Sequence, residues 1–442
     1  MSCYRWIISG MVLGWLILLP IPSLGLTMEE EIKLLKARIE LLEKKLVEKE
    51  TGEPVVEERV QYLEREVDRL GYRQYPAQLL ETISSVEAGG DLTLIMQRTE
   101  NNTGRKNKGD LSTSADLNLG LPVGPYGNLF FRADVGQGEG VAKWLPNTFS
   151  GPNSDLEFDD ARFQWAEAWF GATYPWPSIY DQRFSFNMGK MDPTAFFDTN
   201  RLANTETDQF MADLFVNNLG IDWGGDDNGY GFGSRLAYRF TSIYQKGLTV
   251  EGSLGYFDSD GDFSDTFREP FVIAELDINR RYYGLEGNYR LYAWQNNREH
   301  SVWKNPDGNG KHNKGFGFSI DQGISSNLAL FARYGYQDPQ VSQFDQVITL
   351  GGRVIGNRWH RAKDHLGFAY GLSRTSKDYK KHSLDVDGYK ADKNEHYFEL
   401  YYRYNLWGEV AITPDIQYVI NPGGDGDKDG LWIFGLRLQV NF

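Results

Sequence analysis

The chain has 442 residues, with 46 Lys and Arg against 61 Asp and Glu, a formal net charge of −15, one Cys, 48 Gly and 14% aromatic residues. This acidic balance argues against nucleic-acid binding, which requires clustered basic residues. Beyond the N-terminus the sequence has no apolar run long enough for a membrane helix, so a helical membrane protein is excluded. The sequence combines many aromatic residues and glycines with a mean hydropathy of −0.50. This combination favours many short strands that each have one apolar and one polar face.

Residues 1–25 have the features of a secretory signal peptide. Arg5 precedes an apolar stretch, Pro20 and Pro22 interrupt that stretch, and small residues follow. Cleavage would remove the only cysteine, Cys3, so the mature chain would have no disulfide and no Cys zinc site. An uncleaved membrane anchor is the alternative, although the prolines lie where a spanning helix would have to continue.

Residues 26–75 are predicted to form a periplasmic coiled coil and linker. Apolar residues recur at heptad a and d spacing from Met28 to Leu46, and the same phase resumes between Val56 and Leu70 after a break at Pro54. This seam predicts a homo-oligomer, either a dimer, which the a and d residue types favour, or a trimer imposed by the following domain. The alternative is that the apolar stripe packs on the next domain of the same chain.

From about Asp91 to the C-terminus the apolar residues recur with a period of two. In the last segment Trp432, Phe434 and Leu436 share one face, while Arg437 and Gln439 share the other. At roughly 20 to 25 residues per strand with its loop, residues 83–442 predict an all-β antiparallel transmembrane β-barrel of about 16 strands. A soluble sandwich would also alternate. The secretory signal, the aromatic strand ends and the terminal Phe442 favour the barrel, and 16 strands leave an aqueous channel.

Three blocks of sequence resemble the carbohydrate-selective porin (OprB-type) family of bacterial outer membranes. They are residues 399–404 with 414–424, residues 189–210 with Glu167 upstream, and a looser set between Gln322 and Asp364. Together they cover most of residues 160–442, whereas the match before residue 160 is weak and the coiled coil is an addition that many members lack. The resemblance implies a 16-stranded porin for sugars.

Charged residues on the polar face are predicted to point into the lumen, because a charge facing lipid costs up to about 4 kcal/mol. Aromatic rings beside carboxylates and guanidinium groups suit sugars, which stack on rings and hydrogen-bond through their hydroxyls. The mixed signs of charge predict a transverse field that favours dipolar polyols over ions. The alternatives are that the charges pair across strands as structural elements and that the tryptophans belong to an interfacial girdle. The predicted pore-lining residues are Arg132, Asp134, Trp165, Glu167, Trp169, Arg235, Arg239, Glu286, Arg290, Arg333, Glu399, Arg403 and Arg437.

The other motifs give little support for an enzyme. Residues 425–430 and 258–262 are rich in Asp and resemble parts of a calcium loop, but they are better explained as solvated turns. The sequence has no zinc-hydrolase or serine-hydrolase motif, and a scattered triad is the type of site that motif searches miss. We therefore predict no catalytic residue, no cofactor and no metal.

The predicted function is passive diffusion of small solutes, preferably carbohydrates, through an outer-membrane channel that an inward-folded loop narrows. The expected partners are outer-membrane lipid and small sugars, with no nucleic acid. The N-terminal helix is expected in the periplasm. The alternative function is a structural barrel that tethers the envelope through the coiled coil.

Overall fold

The computed structural model describes residues 86–102, 106–145, 147–155, 160–176, 181–223, 230–242, 247–263 and 266–442. The predicted signal peptide and coiled coil lie outside these residues. Within them, no helix combines the length and the apolar character needed to span a membrane.

Sixteen antiparallel strands form one closed barrel, which confirms the predicted fold and strand number. Each strand pairs with its neighbours in sequence, and β1 pairs with β16 to close the ring. The strands are β1 (Glu87–Glu100), β2 (Gly109–Val123), β3 (Gly127–Gln137), β4 (Arg162–Trp176), β5 (Asp181–Lys190), β6 (Phe232–Thr241), β7 (Leu248–Asp258), β8 (Pro270–Tyr282), β9 (Leu285–His300), β10 (Lys311–Gly323), β11 (Leu328–Gln337), β12 (Phe344–Ile355), β13 (His365–Thr375), β14 (Glu395–Trp407), β15 (Val410–Ile420) and β16 (Leu431–Asn441).

The alternation of side chains along the strands follows the predicted phase in most of the barrel. In β16 the outward Trp432 and Phe434 are exposed, whereas the inward Arg437 and Gln439 are buried. A closed barrel has no open strand edge, so its exposed apolar outer face is suited to contact with lipid.

The two ends of the barrel differ in the length of their connections. Even-numbered strands are followed mostly by short turns, such as Tyr283 and Gly284 between β8 and β9. Both residues of this turn have positive φ, 52° and 82°, as a two-residue hairpin of type I′ requires, and Gly284 takes that conformation without strain. Odd-numbered strands are followed by longer connections, and we call their side the long-loop end and the other side the short-turn end.

Two connections from the long-loop end fold into the barrel. The first inner segment comprises residues 191–223, between β5 and β6, and includes the one-turn helix α1 (Asp213–Val216). The second inner segment comprises residues 138–145 and 147–155, between β3 and β4. A third connection carries helix α2 (Lys377–Asp387), whose first turn is capped by the Ser376 hydroxyl accepting from the Tyr379 N–H.

The buried apolar core lies between the first inner segment and the wall. Phe210 and Phe215 pack with Phe331, Tyr397 and Tyr401 of the wall in one cluster. A second cluster joins Phe197 and Ile221 to inward aromatics of β4 and β7–β9. A porin-sized barrel therefore has a packed interior over part of its circumference.

Candidate solute pathway

The first inner segment is fixed to β11 by a buried arginine. The Arg333 guanidinium donates to the carbonyl oxygens of Phe215 at 2.9 Å and Val216 at 3.2 Å. It also donates to the Asp198 carbonyl oxygen at 2.9 Å, and its Nε lies 3.2 Å from the Asp198 carboxylate. Only 1% of Arg333 is exposed. This predicted pore-lining residue points inward but is covered by the segment that it holds.

Glu399 and Arg437 hold the same segment against β14 and β16. The Glu399 carboxylate accepts the backbone N–H groups of Met211 and Ala212, and the Arg437 guanidinium donates to the carbonyl oxygens of Glu206 and Gln209. Both side chains are buried. Like Arg333, they are inward wall residues that the lumen does not reach.

Arg403 lies near the turn of the first inner segment that contains Asp208. Burial alone would raise the pKa of Asp208, but interactions with Arg403, His365, the Thr205 hydroxyl and Arg437 outweigh it and lower this pKa to about 2. Asp208 is therefore ionised at neutral pH and is stabilised by the wall. Arg403 remains half-buried.

A further contact joins the first inner segment to β9 and β10. Arg201 Nε lies 3.0 Å from Asp321 Oδ1, and Arg201 Nη1 lies 3.1 Å from Glu286 Oε2. Arg290 pairs with the same Asp321 at 3.5 Å and with Asp277 at 3.4 Å. Two predicted residues, Glu286 and Arg290, thus belong to one network with Arg201.

The structure corrects the predicted orientation of Trp165. The pairing of β3 with β4 shifts by one residue between Arg132 and Ala133, so Arg132 lies opposite Glu167 and Ala133 lies opposite Trp165. The extra residue reverses the phase of β4, as a β-bulge does. Trp165 is 55% exposed on the outer face, where it contacts Phe131. The prediction that Trp165 lines the pore beside Glu167 and Trp169 is wrong.

Glu167 and Trp169 point inward but lie under the first inner segment. The Glu167 carboxylate accepts from Trp169 Nε1 at 3.1 Å and from the Asp192 N–H at 3.2 Å. Its other oxygen lies 3.2 Å from Arg132, which also pairs with Asp134 at 3.1 Å. Of this group, Asp134 retains the larger contact with solvent, since a quarter of its side chain is exposed against a tenth for Arg132.

Some inward charged residues on β2–β9 keep contact with solvent, whereas others, such as Glu167, are buried. The side chains of Arg239 on β6 and Asp277 on β8 are 42% and 28% exposed, respectively, although both point into a closed barrel. Arg239 Nε donates to Glu251 at 2.7 Å, and Arg235 pairs with the same carboxylate. We call β2–β9 the open sector and β10–β16 the filled sector.

Like charges lie beside one another in the open sector and its edge. Asp91, Asp116 and Asp134 are directly opposite one another across β1, β2 and β3. Arg183 is directly opposite Arg239 on β5 and β6. Directly opposed like charges destabilise a sheet. The predicted mixture of signs is therefore partly sorted in space. Three carboxylates form a row across β1–β3 and two arginines face each other on β5 and β6, although β3 also carries Arg132.

The second inner segment adds a carboxylate to the acidic side. Asp155 accepts from the Ser114 hydroxyl at 2.7 Å. Burial raises the pKa of Asp155 well above its usual range, and the negative charges of Glu206, Asp116 and Asp91 raise it further. An acidic group thus projects from the inner segment toward the β1 and β2 wall.

Aromatic rings accompany two of the guanidinium groups. Arg235 lies over the Phe196 ring at 5.5 Å, and Arg132 lies over the Tyr230 ring at 5.6 Å. Phe196 in turn packs against Trp169 with ring centroids 5.8 Å apart. This combination of ring faces, guanidinium groups and carboxylates can stack on a sugar and bind its hydroxyls.

Several of these residues were missed by the sequence analysis. Glu251 lies on β7 and is absent from the predicted pore-lining residues, and Arg201 and Phe196 lie in a connection whose inward course no local pattern reveals. A usable signal was the alternation of Val250, Gly252 and Leu254 with Glu251 and Ser253, which places Glu251 on an inward face.

The two Asp-rich turns differ in structure. Asp258, Asp260 and Asp262 each place one carboxylate oxygen within 4.8 Å of the others at the end of β7. In the other turn Asp425 forms an ion pair with Lys428 at 3.4 Å. The second turn is thus neutralised in part by its own lysine.

Residues 103–442 match the family described as "Carbohydrate-selective porin, OprB family". The chain belongs to this family. A stretch of 130 residues is 26% identical to Porin B of Pseudomonas aeruginosa and covers 27% of this chain and 29% of that protein. An uncharacterized protein of Aquifex aeolicus is 22% identical over 254 residues, which are 58% of this chain and 63% of that protein.

Among solved structures, the high pH structure of Pseudomonas putida OprB superposes with a TM-score of 0.68 at 16% identity, covering 83% of this chain and 96% of that chain. This likeness supports the fold. The chain matches less than two thirds of the length of the two sequence relatives. Membership in the OprB family confirms the resemblance found in the sequence and identifies the barrel as an outer-membrane porin barrel.

Proposed function

We propose that this chain is an outer-membrane porin for passive diffusion of small solutes, with a preference for carbohydrates. The observation that carries the proposal is the exposure of inward charged side chains in the open sector, where Arg239, Asp277 and Asp134 contact solvent inside a closed 16-strand barrel. Barrels of this strand number enclose an aqueous channel. The first inner segment reduces that channel to one side of the barrel.

The chemistry of the narrowed side favours neutral polyols. Glu251 accepts from both Arg235 and Arg239, so its guanidinium partners are held in place by a charged hydrogen-bond network. Phe196 offers a ring beside Arg235. A sugar can exchange water for these polar groups at little cost, whereas a small ion leaves its hydration shell at a high cost. The row of carboxylates across β1–β3 and the opposed arginines on β5 and β6 also produce a transverse field that aligns dipoles.

Liposome swelling with the purified mature protein tests this function. Influx of mono- and disaccharides is compared with influx of amino acids and anions of similar size, and empty liposomes serve as the control. We expect faster influx of sugars. Equal influx of all solutes would contradict the preference for carbohydrates and indicate a general porin. The absence of influx would contradict channel activity altogether.

We further propose that the N-terminal residues form a periplasmic coiled coil that joins two or three protomers and contributes to envelope anchoring. The heptad seam from Met28 to Leu70 supports this role. Deletion of residues 26–75 separates the two functions, because a channel predicts unchanged swelling rates and a tether predicts a loosened envelope in cells. Oligomeric state is measured on the same pair of proteins by analytical ultracentrifugation.

A further inference from the structure

A polar cavity lies at the long-loop end, among the connections of the filled sector and the second inner segment. It has a volume of about 280 Å³ and is lined by Asn147, Thr148, Phe149, Gln343, Asp387 and Tyr389. Three different connections supply these residues: the second inner segment, the β11–β12 loop and the loop that carries α2. We call it the mouth pocket.

Hydrogen bonds between the loops fix the pocket wall on the α2 side. The Tyr379 hydroxyl donates to Asp387 Oδ2 and lies 2.9 Å from the Tyr389 hydroxyl. Gln343 Nε2 donates to the Tyr379 hydroxyl at 3.3 Å and to Asp387 Oδ2 at 3.4 Å. Because these bonds connect residues from two loops, the polar groups of the wall are positioned before any ligand arrives.

Close packing fixes the opposite side. The Phe149 ring packs on Phe344 with centroids 5.2 Å apart and on Tyr379 at 6.3 Å. A Cβ on Gly423, whose φ is 66°, would lie 1.8 Å from the Asn147 carbonyl oxygen. Only glycine at this position lets the β15–β16 loop approach the second inner segment, and the Tyr389 hydroxyl donates to the Gly423 carbonyl oxygen at 3.2 Å.

The pocket adjoins the segments that narrow the channel. The residue after Phe149, Ser150, accepts the Leu214 N–H of α1 at 3.1 Å through its hydroxyl, and the Gly151 N–H donates to Asp213 at 2.9 Å. The polypeptide that forms the pocket is thus hydrogen-bonded to the first inner segment. A solute held there lies beside the entrance rather than at a distant loop.

We propose that the mouth pocket is an outer docking site for a single neutral sugar ring. This proposal rests on the proposed function and assigns it a second binding place ahead of the open sector. The volume is close to the lower limit of about 300 Å³ for small-ligand sites, which fits one ring and not a chain of them. A carboxylate, two amides and two hydroxyls serve sugar hydroxyls, and Phe149 and Tyr389 supply apolar surface.

The charge of the lining separates neutral from anionic sugars. Asp387 is the charged lining residue and it is exposed. Lys428 lies over the Tyr389 ring at 4.8 Å, but it is paired with Asp425. A sugar phosphate would therefore place its charge next to the Asp387 carboxylate, and we expect it to bind several-fold more weakly than the free sugar.

Saturation-transfer NMR on the full mature chain in lipid nanodiscs tests the proposal with D-glucose as the probe. We expect Asp387→Asn and Gln343→Ala each to raise the Kd for glucose about tenfold, the effect of losing one or two hydrogen bonds to a polar ligand. Gln340→Ala is the matched control, because this exposed glutamine lies three residues earlier in the chain and does not line the pocket. Retention of heat-resistant migration in gels shows that each variant barrel is folded.

The outcomes separate the pocket from the porin function. Kd values for both pocket variants within twofold of the wild type, or glucose 6-phosphate binding as tightly as glucose, would overturn the mouth pocket while liposome swelling by sugars still stood. Loss of glucose binding in the variants without any sugar influx through the wild type would refute the channel and leave the pocket as a binding site. An intact Kd for Gln340→Ala is required in either case.

Discussion

Side chains alternate between the inner and outer faces in both the open and the filled sector of the barrel wall. The two sectors differ in whether their inward charged side chains contact water. In the filled sector, Arg333, Glu399 and Arg437 are fully covered because their hydrogen bonds go to the backbone of the first inner segment. In the open sector, Arg239 and Asp277 pair only with wall residues and stay exposed. An inward charged residue is therefore a structural anchor where an inner segment covers it and hydrogen-bonds to it. Where no inner segment covers it, the residue lines the channel.

The largest expected effect comes from removing the anchor Arg333. Arg333→Ala leaves the Asp198 carboxylate and three carbonyl oxygens without their buried partner, and breaking such a pair costs about 3–5 kcal/mol. We expect the first inner segment to detach and the filled sector to open. Single-channel conductance in planar bilayers should rise by at least about twofold, because an unplugged 16-strand barrel has a wide lumen.

The control for this prediction is Arg374→Ala. Arg374 on β13 pairs with Asp345 on β12 at 2.8 Å, so its loss affects two wall strands and leaves the hydrogen bonds between Arg333 and the first inner segment in place. Conductance of Arg333→Ala that equals that of Arg374→Ala would mean that the inner segment does not depend on the arginine. The two sectors would then differ by packing alone.

The second prediction compares the two tryptophans that β4 places on opposite faces. Trp169→Ala removes an indole packed between Phe130 and Phe196 and should cost about 3–5 kcal/mol of unfolding free energy. Trp165→Ala removes a side chain on the lipid face and should cost about 1 kcal/mol, because lipid fills the space. Guanidinium unfolding of both variants in lipid vesicles measures the difference. Equal costs would contradict the reversal of phase at the β3–β4 bulge.

These tryptophans also show how far sequence reasoning reaches. A period of two, read along β14 and β16, gave the correct inward set there because the pleat fixes which side chains share a face. It failed at Trp165 because one extra residue in β4 shifts every later side chain, and a bulge has no strong local signature. The coverage of Glu167 and Arg333 depends on contacts with residues that are distant in sequence, which periodicity does not report.

A third prediction concerns a lining residue of the open sector. Arg239→Gln removes one exposed positive charge while Glu251 keeps its partner Arg235. The lumen then becomes more negative, and we expect the cation-to-anion permeability ratio to rise about twofold, as expected for a single charge screened by water. Reversal potentials in a salt gradient measure this ratio. Arg98→Gln at the long-loop end of β1 is the control, since its side chain is 68% exposed and pairs with Glu100. An equal shift in both variants would show that Arg239 acts only through net charge.

The smallest expected effect is a dependence of the cation-to-anion permeability ratio on pH, caused by titration of Asp155. Burial and the carboxylates of Glu206, Asp116 and Asp91 raise its pKa, so Asp155 binds its proton at a higher pH in the folded protein than in the unfolded chain. Its contribution to stability is therefore present below its unfolded pKa and is lost as the pH rises through the folded pKa. As the pH rises through this pKa, Asp155 loses its proton and the acidic side of the lumen gains one negative charge. The preference of the channel for cations should then increase.

Asp155→Asn keeps an acceptor for the Ser114 hydroxyl and removes the titration. Reversal potentials measured from acidic to mildly alkaline pH should then change less steeply in the variant than in the wild type, with the two curves meeting at the acidic end. The opposite order, with convergence at the alkaline end, would contradict a neutral Asp155 at low pH. The comparison would also show whether the second inner segment, like the wall of the open sector, contributes charge to the solute pathway.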